Sequence, residues 1–141
     1  MKHNYNMGFA LHAATASKDT TKVGAVLIGP DGEIRLTGYN GPPIGVDDKP
    51  ERFERPAKYL FASHAEQNVI AFAARQGIMT NGCTLYVTHL PCSSCCKSII
   101  QSGIVCVVYG DGQTSMPKQE FETTKIMLIE AGVELMEVEA Q

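Results

Sequence analysis

The sequence predicts an α/β protein in three layers (α/β/α), with helices on both sides of a mixed five-stranded sheet whose fourth and fifth strands run parallel. Three observations carry this expectation. A nearly continuous apolar run, Val23–Ile28, is followed by the turn residues Pro30-Asp31-Gly32 and a returning stretch, which reads as an antiparallel pair. The second half alternates strand, helix, strand, helix, strand, and such crossovers favour parallel neighbours. The 141 residues, 44% hydrophobic and 19% charged, suit one domain over residues 1–141 with a core of its own.

The elements follow in order. Met7, Ala10, Leu11 and Ala14 recur at helical spacing and predict a first helix over 5–17. A polar loop leads to the apolar run at 23–28, which pairs with 33–39. The stretch Gly38-Tyr39-Asn40-Gly41-Pro42-Pro43-Ile44-Gly45 reads as an irregular loop whose backbone can come close to a ligand. Residues 46–62 carry Arg52, Arg55 and Lys58 among acidic residues and read as a loop or short helix. A connection of that length suggests a lid or ligand role. Ser63 opens a second helix that runs to Gln76 before Gly77. Then come a strand at 83–88, a helix over 91–102 with Pro91 at its start and Gly103 after its end, a strand at 104–109, a helix over 117–131 and a strand at 134–138.

Composition narrows the function classes. A net charge of −3 argues against an extended nucleic-acid surface, but leaves room for a small anionic substrate that needs only one or two cations. No apolar run is long enough to span a bilayer, and the residues after Met1 lack the apolar stretch of a signal peptide, so the expected compartment is the cytoplasm. The five cysteines (83, 92, 95, 96 and 106) are odd in number and crowded, a pattern for metal or free thiols rather than disulfides.

Two motifs carry chemistry. His64-Ala65-Glu66 and Pro91-Cys92-Ser93-Ser94-Cys95 offer one histidine and two cysteines, enough for three ligands to a tetrahedral Zn²⁺ with the fourth position open to water. Glu66, two residues from the first ligand, could move protons without binding the metal. Each motif has a plainer reading. Ser63 and Glu66 fit a capping box, and Cys92 and Cys95 fit a redox pair or two buried thiols. Together they form H-x-E…P-C-x-x-C, the signature of zinc deaminases of nucleobases. A structural zinc module would need a fourth protein ligand, and only three are suitably spaced. Cys96, four residues from Cys92, is a rival for Cys95.

With those motifs, and with Val23-Gly24-Ala25, the Gly38–Gly45 loop and Leu85-Tyr86-Val87-Thr88, the chain resembles the cytidine/deoxycytidylate deaminase superfamily over about residues 17–109, and within it the deoxycytidylate branch. The resemblance implies a cytidine deaminase-like fold and hydrolytic conversion of dCMP to dUMP with release of ammonia. It implies one Zn²⁺ per chain, held by His64, Cys92 and Cys95, with Glu66 passing protons between water, N3 of the ring and the leaving amino group. Ala65 and the Thr88-His89-Leu90 turn would hold the base. Asn40 would contact the sugar hydroxyl, although a turn asparagine is its plainer reading. His89 is a substrate contact or an unliganded loop histidine. Ser17 and Lys18 are candidates for the 5′-phosphate, with Arg52, Arg55 and Lys58 as rivals. The partners implied are a nucleotide substrate, a dCTP or dTTP effector with Mg²⁺, and further copies of the chain as a hexamer or dimer. The alternative is a deaminase of cytidine, guanine or tRNA adenosine. His3 reads as part of a tail.

Overall fold

A computed structural model describes residues 2–139 of the chain, so the ends of the predicted domain, Met1, Ala140 and Gln141, lie outside the described residues. Five strands form one sheet in the order β2-β1-β3-β4-β5. They are β1 (Gly24–Ile28), β2 (Ile34–Tyr39), β3 (Thr84–Val87), β4 (Cys106–Tyr109) and β5 (Glu134–Glu137). Strand β1 runs antiparallel to both β2 and β3, while β3, β4 and β5 are parallel. The predicted mixed sheet is thus present, and the three strands of the second half are parallel neighbours, as their alternation with helices leads one to expect.

Alternation of side chains along the strands separates two apolar layers. On one face Ala25, Leu27, Leu85, Val87 and Val107 pack with Ala65, Val69, Ile99 and Leu128. Those partners come from α3 (Ala65–Gln76), α4 (Ser93–Gln101) and α5 (Lys118–Ala131). On the other face Val26, Ile28, Tyr86 and Val108 pack with Met7 and Ala10 of α1 (His3–Ala14). Close approach of the layers depends on two glycines. A Cβ on Gly24 would run into the Ala10 carbonyl oxygen and the Ala14 nitrogen, and one on Gly38 would lie 2.8 Å from Val69 Cγ2.

Most boundaries sit within two or three residues of the expected ones. The first helix stops at Ala14, because residues 15–17 continue only through tight turns, with each N–H donating three residues back. His3 is not in a tail. It starts α1, and its Nδ1 lies 2.7 Å from the hydroxyl of buried Tyr86. The long insert is neither a plain loop nor one helix. It holds a 3₁₀ turn at Pro50–Phe53 and the short α2, Lys58–Phe61, and an isolated bridge pairs Gly41 with Ser63 across its base. Among the described residues no helix is long and apolar enough to cross a membrane.

Candidate active site

Helices α3 and α4 begin at the same edge of the sheet, where the parallel strands end. His64 is the N-cap of α3, and Cys92 is the N-cap of α4 with Cys95 one turn in. The His64 Nδ1 atom lies 3.2 Å from Cys95 Sγ and 3.5 Å from Cys92 Sγ, and all three ligand atoms fall within 4.8 Å of one another. A tetrahedral zinc with ordinary bond lengths separates N from S by about 3.6 Å and S from S by about 3.8 Å. The donor set therefore fits that ion, with three protein ligands and one open position. Cys96 points elsewhere. It is fully buried, and its thiol donates to the Thr124 carbonyl at 3.7 Å.

The electrostatics suit a cation at this point. A hydrogen bond from the Cys95 thiol brings the Cys92 thiol down to about 4, against the effect of burial. Cys95, as the donor and fully buried, is held well above the usual thiol range. The hydrogen bond with Cys92 raises His64. Glu66 is 4% exposed, and burial pushes its carboxyl up to about 7. A group with that affinity can hold or release a proton near neutrality.

Glu66 is free for this because it does not cap the helix. The start of α3 falls one residue later than a Ser63–Glu66 capping box requires. The His64 N–H donates to Gln67 Oε1 at 2.8 Å, and the Ser63 hydroxyl donates to Asn68 Oδ1 at 2.6 Å. The reciprocal bond is thus made by Gln67, and the carboxylate of Glu66 turns inward.

One cavity opens over this group, and Asn40, Ala65, Glu66 and His89 all line it. Asn40 is buried and doubly engaged. Its Oδ1 accepts the Val23 N–H at 2.9 Å, and its Nδ2 donates to the Thr21 carbonyl at 2.8 Å. One amide hydrogen is left for a ligand, so the side chain first clamps the loop before β1. His89 is anchored by its neighbour. Buried Thr88 Oγ1 accepts the Gly24 N–H at 3.1 Å and shares a hydrogen bond with His89 Nδ1 at 2.7 Å, which sets the plane of the ring. Burial keeps the imidazole below its ordinary pKa. A side chain on Gly112 would collide with this ring.

Ser17 and Lys18 do not line the cavity. The Ser17 hydroxyl is buried and donates to the Asn40 carbonyl at 2.9 Å, and Lys18 is exposed and paired with Asp48. Two residues of consequence are not among those the sequence singles out. Asp19 lines the cavity and forms a buried ion pair with Lys58 at 3.0 Å. Glu120, from α5, accepts the Ser93 N–H at 3.0 Å and the Ser93 hydroxyl at 2.8 Å, and so holds the start of α4. Each acts across a long stretch of chain, where local pattern is silent.

Known proteins place this geometry in context. Residues 1–111 match the family described as the cytidine and deoxycytidylate deaminase zinc-binding region. An uncharacterised deaminase encoded in the luxG 3′ region of Aliivibrio fischeri is 43% identical over 124 residues, covering 84% of this chain and 81% of that one. Human deoxycytidylate deaminase is 37% identical over 112 residues, covering 74% of this chain. The match takes in 62% of the human protein's length. Among solved structures, the dCMP deaminase of cyanophage S-TIM5 in complex with dCMP and dUMP superposes with a TM-score of 0.76 at 28% identity, covering 94% of this chain and 93% of that one.

Proposed function

The chain belongs to the cytidine and deoxycytidylate deaminase family, and from that premise we propose that it hydrolyses dCMP to dUMP and ammonia. The observation that carries the reading is the convergence of His64, Cys92 and Cys95 on one point, with buried Glu66 beside it. Three protein ligands and an open position describe a catalytic rather than a structural site. Zinc held there supplies water activated at neutral pH.

The chain's own residues do the rest. Glu66 accepts the first proton of the attacking water and delivers it to N3 as the oxygen bonds to C4 of the cytosine ring. It then takes the remaining hydroxyl proton and passes it to the 4-amino group, so that the C4–N bond breaks, ammonia departs and the C4 carbonyl of uracil is left. Ala65 lines the cavity beside it and orients the base through its backbone, and the spare amide hydrogen of Asn40 meets the sugar. His89 meets the substrate from the cavity wall. The relatives named for dCMP, and the S-TIM5 complex, support the pyrimidine nucleotide as substrate.

The same reading includes a homo-oligomer, for which exposed Ile44, Tyr59 and Leu60 offer apolar surface. It also includes dCTP or dTTP, with Mg²⁺, as an effector, to be assayed as a change in dCMP turnover. The main test is ammonia release by the zinc-loaded protein from dCMP, cytidine, guanine and a tRNA anticodon stem-loop. Turnover of dCMP above the others is expected. Turnover of another substrate without dCMP would sink the reading.

A further inference from the structure

The sequence offers several cations for an anionic substrate, and the fold disposes of all but one. Lys18 lies outside the cavity and is paired with Asp48. Arg52 is also outside. Its guanidinium sits 4.2 Å over the Phe61 ring, and it donates to the Asp47 carbonyl. Lys58 lines the cavity, but its side chain is only 8% exposed and its ammonium lies 3.0 Å from the carboxylate of similarly buried Asp19, so its charge is already matched. That pair joins the insert to the loop before β1, a structural task that a buried ion pair performs well and that is costly to undo.

Arg55 is different. It lines the cavity, it is exposed, and among the described residues it has no carboxylate partner. Its guanidinium lies 5.9 Å over the Tyr59 ring, a contact that sets the plane of the fork without using its N–H groups. Its Nη2 donates to Ser115 Oγ at 2.7 Å. Ser115 belongs to the segment between β4 and α5, and both residues line the same cavity, so the bond joins two of its lining segments. A neutral hydroxyl is a weak partner for a guanidinium. A phosphate offers a charge-assisted, two-pronged bond of roughly twice the strength.

The geometry points to Arg55 as the residue that makes this site prefer a nucleoside monophosphate over the bare nucleoside, by exchanging Ser115 for the substrate's phosphate. The inference rests on the deaminase reading. Arg55 here acts at the phosphate end of the substrate, and the chemistry at the ring stays with Glu66. The hydroxyls of Ser115 and Thr114, which line the same cavity as Arg55, are placed to donate to the phosphate oxygens once the fork has turned to them.

The test compares wild type, Arg55→Ala and Arg55→Lys, all zinc-loaded, on dCMP and on deoxycytidine, together with the affinity of each protein for dUMP and for deoxyuridine by calorimetry. The ratio of kcat/KM for dCMP over deoxycytidine is expected to fall about 30-fold in Arg55→Ala, mainly through KM. The preference for dUMP over deoxyuridine should fall in step. Arg55→Lys should recover only part, because it keeps the charge and loses the fork. An equal loss on both substrates, or an unchanged ratio, would overturn the assignment while leaving the deaminase standing. A wild-type protein that turns over neither dCMP nor deoxycytidine would overturn the deaminase reading and this inference with it.

Discussion

Glu66 shows how a single residue can be misread locally and placed correctly by its surroundings. Ser63-x-x-Glu66 is a capping pattern, yet Gln67 makes the reciprocal bond to the helix start, and Glu66 is buried beside the three ligand atoms. Its affinity for a proton, raised to about 7 by burial, matches the task of a carrier that must both accept and deliver. Replacing it by glutamine keeps the shape and removes the titrating group. Glu66→Gln is expected to keep one zinc per chain by elemental analysis, while turnover of dCMP drops by about 10² to 10⁴. Undiminished turnover would reduce Glu66 to a packing residue. Asn40 teaches a related point, since most of its hydrogen-bonding capacity is spent on the backbone of Thr21 and Val23.

The element that matters most is α4, because its first turn presents both cysteines. An N-terminus leaves backbone N–H groups without partners, and Glu120 from α5 supplies an acceptor for one of them. The bonds from the Ser93 hydroxyl and N–H hold the Glu120 carboxyl below its ordinary 4.5. A carboxylate lowered by folding contributes stability that is present above its unfolded pKa and lost as pH falls through the folded value. Thermal melts of wild type and Glu120→Gln should therefore differ by a few degrees, about 3 °C, at pH 7. The gap should close on acidification below the usual carboxylate range. A gap that does not change with pH would show that the charge of Glu120 is not what holds the helix start.

At the scale of the whole molecule, the ligand group ties two helices of one layer together. His64 comes from the start of α3 and the cysteines from the start of α4, so an ion bound between them is bound by the folded chain alone. Binding confined to the folded state adds stability by mass action, about 2.7 kcal/mol at a hundredfold excess over Kd. Because the sheet has its own apolar layers on both faces, removal of the metal should loosen rather than unfold the chain. Exhaustive treatment with a strong chelator is expected to lower Tm by about 10 °C and to abolish turnover, and added zinc should restore both. Turnover that survives chelation would remove the basis of the proposed chemistry.

What the sequence determined by itself was whatever depends on short spacing. The alternation of strands and helices, the direction of the parallel crossovers, and the pairing of His64-Ala65-Glu66 with Pro91-Cys92-x-x-Cys95 are local patterns, and each reappears in the structure. Tertiary structure alone decided which charges face the cavity. Lys58 meets Asp19 across 39 residues, and Arg55 meets Ser115 across 60. Contacts of that span are set by how the insert packs against the loops at the sheet's edge. For that reason Lys18, an apt candidate by position in the chain, is paired with Asp48 outside the cavity, and Arg55, one cation among several in a polar stretch, lines it.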